Sequence, residues 1–502
     1  MDKRQFLKTS LGVAAGSMLP FGVGARTAQA GASTPQPDWS LGWKSINTDT
    51  LPPVALSLDG ELPEALTGSL YRNGPALLER AGLRYRHWFD GDGMIQHYRI
   101  DGQRVTHEAR FVQTQKYLEE QAAGRFLYSA AGTNIPDGEA SANNDTGNVA
   151  NISLLPWNSE LLALWEGGSA YRIDPTTLQT LGRKDWRDDL RHMPFSAHPL
   201  RERDGTLWNF GSAPYAGRNG KLFVYKITPR DGMVAAQPVT LPMAGYIHSF
   251  AMTEKFLVFY FGPHRFTPGA DTFVDSFRWA GSEASRVLLV DKNDLTSHRW
   301  FEAPAGFVFH CAHAYDEGRD VVAQMCLYPN ADVMQTGMVE LMAGTRGAHY
   351  PDYARARFAE LRLDVQGGAC RSTTTDLLME FPGIDARFDD RSTSVFGVGH
   401  SDAENATFSD SLVSVNPQSG ATSRFAFDPG HIVEEPLFVA AADNRKTSGW
   451  LVGTFLDLPA KQSGVYVFDA DNLAAGPVAM ARMQRSVPLG FHGCFVGAGQ
   501  NT

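Results

Sequence analysis

The sequence is poor in cysteine, has no excess of basic residues and contains no long apolar run. Its 502 residues include four cysteines and no C-x-x-C pair, and a core this large does not need disulfides, so we expect buried free thiols. A net charge of -10 argues against nucleic acid as a partner, because binding it requires a concentrated basic surface. The composition, 43% hydrophobic and 20% charged, is that of a globular protein.

Residues 1–30 have the features of an export leader. A basic stretch at 3–8 (KRQFLK) precedes a weakly apolar run at 11–23 that is too short and too glycine-rich to span a bilayer, and AQA at 28–30 fits a cleavage site. The basic stretch resembles a twin-arginine signal with Lys3 in place of the first arginine. We therefore predict a periplasmic or otherwise exported protein that can contact a membrane peripherally. A disordered N-terminal tail is the alternative.

A polar, proline-containing segment at 31–53 leads into residues 54–502, which we expect to form a single domain of short strands separated by turns. Amphipathic helices are few, and the best candidates are residues 117–125, 334–342 and 353–361. Many short strands without alternating helices predict an all-β sandwich array or a propeller. A seven-bladed propeller would use about 60–65 residues per blade, although no internal repeat is visible.

Seven polar residues stand in strand-like apolar surroundings. They are four histidines, His198, His248, His310 and His492, and three glutamates, Glu166, Glu380 and Glu435. Each residue taken singly is best explained as a hydrogen-bonded core residue. Taken together, they follow one another in steps of 32, 50, 62, 70, 55 and 57 residues, close to one per blade after the first step.

This spacing predicts a metal site if the fold is a propeller. The inner strands of a propeller all face one central axis, so residues that recur once per blade converge there. Histidines that meet on the axis can bind a metal through Nε2, and glutamates just outside them can accept the Nδ1–H protons. The pattern therefore predicts four ligands and three supporting carboxylates.

Four motifs give the chain a family resemblance. They are residues 68–75 (GSLYRNGP), 87–94 (HWFDGDGM), 162–168 (LALWEGG) and 490–493 (GFHG). Together with the seven polar residues, they resemble the carotenoid cleavage oxygenase family, also called the retinal pigment epithelial membrane protein family. The resemblance covers nearly all of the chain after the leader. It is closer to the carotenoid or apocarotenoid branch than to the lignostilbene branch.

The resemblance implies a seven-bladed β-propeller with a helix-and-loop dome over a ferrous iron on the axis. The iron would be bound by the four histidines. Their supporting glutamates would be Glu166 for His248, Glu380 for His310 and Glu435 for His492, and His198 would have none. His313 stands where the family has an asparagine, so it is a spare candidate. His87, within the second motif, is expected to be structural.

The resemblance also implies the reaction. Iron(II) and dioxygen would cleave a conjugated carbon–carbon double bond to give two carbonyl products, and no motif for a flavin, haem or nicotinamide is visible. Ile152 falls roughly where the family places a side chain that blocks one position on the iron. Residues 333–343 would form either an apolar rim at the tunnel mouth or a dome helix that packs inward. The oligomeric state stays open.

The substrate prediction depends on Trp165. In the lignostilbene branch a lysine precedes the first glutamate and binds the substrate phenol, whereas an indole there favours an apolar polyene. We therefore expect a carotenoid or apocarotenoid substrate. The alternatives are a stilbene or other phenylpropenoid, a retinoid isomerase of the animal type, and a non-catalytic propeller that acts as a binding module.

Overall fold

The short strands of the described residues pair into nine antiparallel sheets. Seven of these sheets form the blades of a β-propeller, as the family resemblance implied, and the other two are two-stranded hairpins. The computed structural model describes residues 38–343, 354–388, 390–401, 408–441 and 448–499. These residues belong to one compact unit that spans Pro37–Thr502. The predicted leader at 1–30 lies outside the described residues. The first strand of the propeller begins at Thr50, within the segment at 31–53 that was predicted to precede the domain.

The strands are short and follow one another closely along the chain. In chain order they are β1 (Thr50–Ala55), β2 (Ser57–Gly60), β3 (Thr67–Leu77), β4 (Glu79–Arg80), β5 (Leu83–Arg84), β6 (Asp92–Asp101), β7 (Val105–Phe111), β8 (Ser153–Trp157), β9 (Glu160–Leu164), β10 (Tyr171–Ile173), β11 (Thr180–Arg183), β12 (Leu200–Arg201), β13 (Leu207–Ala213), β14 (Lys221–Thr228), β15 (Gly232–Thr240), β16 (Ala251–Met252), β17 (Phe256–Phe261), β18 (His264–Phe266), β19 (Phe277–Trp279), β20 (Ser285–Asp291), β21 (His298–Ala303), β22 (Phe307–Glu317), β23 (Asp320–Tyr328), β24 (Arg357–Asp364), β25 (Cys370–Leu378), β26 (Glu380–Ile384), β27 (Val395–Gly399), β28 (Ser411–Val415), β29 (Thr422–Ala426), β30 (His431–Val433), β31 (Leu437–Ala440), β32 (Gly449–Asp457), β33 (Gln462–Asp469), β34 (Pro477–Arg482) and β35 (Gly493–Gly497).

In the part of the chain that the structure describes, helical segments are few and lie in the connections. The α-helices are α1 (Gln115–Ala123) and α2 (Met338–Ala343), and a π-helical turn at Val333–Gly337 leads into α2. The 3₁₀ turns are Trp39–Trp43, Trp88–Asp90, Asn144–Gly147, Asp188–Leu190, Val274–Ser276 and Ala470–Ala475. Among the described residues, no helix is long and apolar enough to cross a bilayer.

The two ends of the described chain lock the ring of blades together. The first blade has the strand order β1-β7-β6-β3-β35, so the last strand of the chain completes the first sheet. In the seventh blade, β2 pairs with β34, so an early strand completes the last sheet. The blades between them are β8–β11, β12–β15, β16-β17-β20-β21, β22–β25 and β26–β29. The innermost strand β35 contacts both β8 and β31, which belong to its two neighbouring blades.

The apolar core lies mainly in layers between neighbouring blades. Val258 and Leu289 of the fourth blade pack with Leu361 of the fifth, and Leu70 of the first blade packs with Val467 of the seventh. Each fully buried side chain of this size contributes about 1.5–3 kcal/mol relative to an exposed one. The four cysteines are free thiols, and Cys326 is buried in this core.

Two of the three predicted helices are present. The prediction at 117–125 corresponds to α1, and that at 334–342 corresponds to the π-helical turn and α2, which pack inward through buried residues such as Met334 and Leu341. The prediction at 353–361 is wrong, because β24 covers Arg357–Asp364. Its apolar residues alternate with charged ones, and β24 pairs with strands on both sides, which favours the extended conformation.

Candidate metal centre

The four predicted histidines come from four different blades. His198, His248 and His492 lie just before the innermost strands β12, β16 and β35, and His310 lies inside β22. The pairing of β22 with β23 is irregular between Val308 and Cys311, so the ladder is interrupted at His310. All four side chains therefore approach the axis at the same end of their inner strands.

The three predicted glutamates come from the remaining three blades. Glu380 begins β26, and Glu435 lies between β30 and β31. Glu166 follows β9, the second strand of its blade. Because β9 runs antiparallel to the inner strand β8, the end of β9 lies beside the start of β8, and Glu166 is therefore near the start of that inner strand. Because Glu166 belongs to the hairpin just before the blade of His198, the first sequence step is only 32 residues long.

The histidine side chains converge. One ring nitrogen from each histidine lies within 4.8 Å of the corresponding nitrogen of every other histidine, and three of the four residues are buried. The Nε2 atoms of His198 and His248 are 2.9 Å apart, and those of His310 and His492 are 3.1 Å apart. Two nitrogens bound at right angles to one ion with bonds of about 2.1 Å would be about 3.0 Å apart.

A carboxylate faces the Nδ1 atom of three histidines. The pairs are His248 with Glu166, His310 with Glu380 at 2.5 Å, and His492 with Glu435 at 2.7 Å. These are the pairings that the family resemblance implies. A carboxylate accepts a hydrogen bond from Nδ1–H, so the proton stays on Nδ1 and the Nε2 lone pair points toward the other histidines.

His198 has no carboxylate partner among the described residues. Its backbone N–H donates to the hydroxyl of Ser196 at 3.1 Å. Burial lowers the pKa of His198 well below its usual value, and the neighbouring histidines lower it further. Burial likewise lowers the pKa of His492, with contributions from His310, His248 and Arg72. These two imidazoles are therefore held neutral, which is the form that binds a metal ion.

The donor set fits a divalent metal ion. If Nδ1 donates to a carboxylate, Nε2 carries a lone pair. The Nε2 atoms within each close pair are 2.9–3.1 Å apart, so their lone pairs repel one another unless a cation lies between them. Neutral imidazole is a good ligand for iron, zinc, copper and nickel, so the ligand atoms alone do not select among these metals.

Each carboxylate is held by a different donor. The contacts are the Tyr246 hydroxyl to Glu166 at 3.4 Å, the backbone N–H of Phe381 to Glu380 at 2.6 Å, and both the Arg72 guanidinium at 2.6 Å and the backbone N–H of Gly493 at 3.0 Å to Glu435. Burial raises the pKa of Glu435, and Arg72 opposes that shift. Tyr246, Phe381 and Arg72 were not among the residues predicted for the site.

Phe381 has an unusual backbone conformation beside the histidines. Its φ is +50°, which is uncommon for a bulky residue, and its ring lies 5.0 Å from the ring of His310 and 5.2 Å from that of His492. The same residue thus supplies a backbone donor to Glu380 and an aromatic surface against two candidate ligands. A strained position of this kind is typical of a functional site.

A largely apolar cavity of about 540 Å³ adjoins the histidines. His248, His310 and His492 contribute to its wall. The rest of the wall is rich in aromatic and aliphatic side chains, including Trp88, Phe309, Phe381, Phe491, Met334 and Leu341. The cavity is therefore suited to an apolar ligand that passes the candidate metal site.

The two residues predicted for the tunnel both line this cavity. Trp165 lies against Gly167, beside Glu166. Ile152 is buried, and its carbonyl oxygen accepts a hydrogen bond from the backbone N–H of His492 at 3.1 Å.

The other two histidines considered from the sequence do not join the cluster. His313 is buried, but it is not one of the four converging side chains. His87 is fully buried, and its Nε2–H donates to the carbonyl of Met334 at 2.9 Å while Nδ1 accepts from the backbone N–H of Phe89. It therefore ties the second motif to the π-helical turn that lines the cavity.

Known proteins resemble this chain over most of its length. Residues 43–497 match the retinal pigment epithelial membrane protein family. An apocarotenoid-15,15'-oxygenase of Synechocystis is 27% identical over 87% of this chain and 91% of its own length. A carotenoid 9,10(9',10')-cleavage dioxygenase 1 of Pisum sativum is 28% identical, with 91% and 90% covered. An isoeugenol monooxygenase of Pseudomonas putida is 26% identical, with 88% and 94% covered.

The fold is shared with solved structures. A crystal structure of cobalt-substituted Synechocystis ACO superposes with a TM-score of 0.81, covering 92% of this chain and 98% of that chain at 24% identity. The agreement extends over the whole propeller.

Proposed function

Because the chain belongs to the retinal pigment epithelial membrane protein family, we propose that it is an iron(II)-dependent dioxygenase. The substrate would be a carotenoid or apocarotenoid, and cleavage of one conjugated double bond would give two carbonyl products. The observation that carries the proposal is the convergence of four histidines, three of which line an apolar cavity. Two relatives support oxidative cleavage of such a substrate, since one is an apocarotenoid-15,15'-oxygenase and the other a carotenoid 9,10(9',10')-cleavage dioxygenase.

His198, His248, His310 and His492 would hold the metal through their Nε2 atoms. Ferrous iron bound there would supply electron density for the activation of dioxygen. Four neutral imidazole ligands would leave the ion its full charge of +2, unlike a site that includes a carboxylate ligand. Glu166, Glu380 and Glu435 would fix three of the rings in the tautomer that has a free Nε2.

The protein's other task would be to place the substrate. An apolar wall excludes water and positions a polyene by shape rather than by charge. The bond that is cut would therefore depend on how far the polyene enters the cavity. Trp165 supports a polyene, since an indole beside Glu166 offers an apolar surface and cannot act as a cation toward a phenol. Ile152 would narrow the cavity near the histidines.

A phenylpropenoid substrate is the second candidate. The isoeugenol monooxygenase relative favours it, because isoeugenol is a phenolic propene rather than a polyene. A non-catalytic binding propeller is disfavoured by the seven-residue cluster, since three half-buried carboxylates that serve no purpose would cost stability.

We also propose that residues 1–30 direct export and that the mature protein works in the periplasm or outside the cell. The basic stretch and the AQA sequence support this. A lipophilic substrate would bring the protein to a membrane surface or to a carrier.

Iron content and oxygen uptake test the proposed function together. Protein purified with iron should contain about one iron per chain, and an apocarotenal should stimulate oxygen consumption. His310→Ala should lose both properties. Iron-loaded, folded protein that consumes no oxygen with polyenes or with stilbenes would contradict the enzyme proposal.

A further inference from the structure

Arg72 is a buried cation behind His492. Its side chain is 2% exposed, and Nη1 donates to Glu435 Oε2 at 2.6 Å. Nη2 donates to the carbonyl oxygen of Phe491 at 3.0 Å and lies 3.7 Å from Glu434 Oε1. We call this group the Arg72 clamp; it consists of Arg72, Glu434, Glu435 and the carbonyl of Phe491.

The clamp joins three segments that are distant in sequence. Arg72 lies on β3 in the first blade and is in register with Gly493, the first residue of β35. The two glutamates lie between β30 and β31 in the seventh blade, more than 360 residues from Arg72. Phe491 directly precedes His492. The guanidinium therefore fixes both the carboxylate that faces His492 and the backbone that carries it.

Both glutamates of the clamp have further fixed contacts. Glu434 accepts the backbone N–H of Gly490 at 2.6 Å and the hydroxyl of Thr454 at 2.7 Å. Glu435 accepts the backbone N–H of Gly493 at 3.0 Å and the Nδ1–H of His492 at 2.7 Å. The backbone on both sides of His492 is thus bonded, at residues 490, 491 and 493, to one network.

The other two carboxylates behind histidines have only neutral donors in the contacts described above. Glu166 has the Tyr246 hydroxyl, and Glu380 has a backbone N–H. A charge-assisted bond from a guanidinium is shorter and about twice as strong as a neutral one. His492 is therefore the candidate ligand whose supporting carboxylate is held most rigidly.

We infer that Arg72 is a positioning residue for the metal centre, acting on His492 through Glu435. It holds the carboxylate where it accepts the Nδ1–H, so that Nε2 of His492 points toward the other three histidines. The inference rests on the proposed function, since it concerns the metal site proposed above. Arg72 itself touches none of the four candidate ligand nitrogens in the described contacts.

The direction in which metal affinity changes on replacing Arg72 distinguishes a positioning role from a purely electrostatic one. Removing a nearby positive charge would by itself strengthen the binding of a cation. Loss of positioning would weaken it, and the loss of partners behind a ligand histidine typically costs 10- to 100-fold in metal affinity. For Arg72→Met we expect Co²⁺ affinity, measured by anaerobic titration of metal-free protein, to fall about tenfold.

Lys116 offers a matched control. It is also completely buried and paired with two carboxylates, Asp92 at 3.0 Å and Glu120 at 2.8 Å, but it does not line the cavity. Lys116→Met should lower Tm as Arg72→Met does, since each leaves two buried or half-buried carboxylates without their cation. It should leave the Co²⁺ affinity unchanged.

Arg72→Lys keeps the charge but cannot donate along two directions from one rigid plane. We expect its Co²⁺ affinity to lie between those of the wild type and Arg72→Met. If Arg72→Met does not fold, the Co²⁺ affinity of Arg72→Lys tests the inference instead.

The inference is overturned if Arg72→Met binds Co²⁺ as tightly as the wild type or more tightly. An equal loss of affinity in Lys116→Met would also overturn it, as would wild-type affinity in Arg72→Lys when Arg72→Met is unfolded. Wild-type protein that fails to bind Co²⁺ would instead contradict the proposed metal centre. The two failures are therefore distinguishable.

Discussion

At the scale of single residues, the sequence predicts the histidines and glutamates of the site but not the residues that hold the glutamates in place. The histidines and glutamates stand out because charged or polar side chains in apolar strands need a partner. Arg72, Tyr246 and Phe381 do not stand out, because arginine, tyrosine and phenylalanine are common on strands. Arg72 meets Glu435 across 363 positions of sequence, and only the closure of the ring brings them together.

Glu380 is expected to matter through His310. In Glu380→Gln the neutral amide accepts a weaker hydrogen bond from Nδ1, so the ring is less firmly held and metal affinity should fall about 10- to 100-fold. Metal titration of the metal-free protein measures this. Glu202→Gln, which removes a carboxylate that bonds Trp208 and pairs with Lys292, is the control and should bind metal normally. Equal affinities in all three proteins would show that Glu380 does not support the site.

Trp165 is expected to select the substrate. Trp165→Lys places an ammonium donor beside Glu166, and a charged hydrogen bond to a phenol contributes about 1.5–3 kcal/mol, or roughly 10- to 100-fold. The ratio of activity on a hydroxystilbene to activity on an apocarotenal should rise by that factor, measured as kcat/KM for each substrate. Trp165→Met, which removes the indole without adding a charge, should not raise the ratio. The same ratio in both variants would argue against a role for this position.

At the scale of strands and helices, periodicity and burial decided which predictions succeeded. The prediction of many strands followed from short apolar runs separated by turns, and that of α1 from an amphipathic pattern at 117–125. The structure adds the Thr114 side chain, which caps the helix. The helix prediction at 353–361 failed, because Ala359 and Leu361 also suit a strand, and pairing with β23 and β25 outweighed local helix propensity. A short apolar run that also contains charged residues does not distinguish a helix from a strand.

The closing strand β35 is expected to position His492. A Cβ atom at Gly493 would overlap the carbonyl oxygen of Tyr71 and lie 2.7 Å from Cδ of Arg72. Gly493→Ala should therefore lower the free energy of unfolding by about 1–3 kcal/mol and weaken metal binding, because the adjacent His492 must shift. Denaturant titration and metal titration measure the two effects.

Gly147 provides the comparison, since the nearest atom to a Cβ there is 4.0 Å away, in the indole of Trp165. Gly147→Ala should leave the free energy of unfolding within about 0.5 kcal/mol of the wild type. If Gly493→Ala were equally harmless, the close approach of β35 to β3 would not constrain the site.

At the scale of the whole molecule, buried neutral histidines make the fold sensitive to acid. Burial lowers the pKa of His264 to about 4, whereas a histidine in the unfolded chain takes up its proton near 6.5. Between these values the unfolded state binds a proton that the folded state does not, so the free energy of unfolding falls as the pH falls from 6.5 toward 4.

His264→Phe should flatten this pH dependence. The ring of His264 packs among Tyr246, Phe277 and Phe307, so phenylalanine suits its surroundings. Removing one such group should reduce the slope by up to about 1.4 kcal/mol per pH unit between pH 4.5 and 6, as measured by denaturant unfolding at several pH values. Parallel curves for the two proteins would contradict the assignment of His264 as a buried neutral group.

The proposed reaction is also a property of the whole molecule, since all seven blades contribute to its site. The most direct test is the mass of the products after iron-loaded protein is incubated in air with a panel of carotenoids, apocarotenals and stilbenes. We predict that at least one carotenoid or apocarotenal gives two carbonyl fragments that together account for the polyene plus both atoms of dioxygen, and that stilbenes react poorly. Intact recovery of every polyene and stilbene would contradict the assignment as a cleavage dioxygenase.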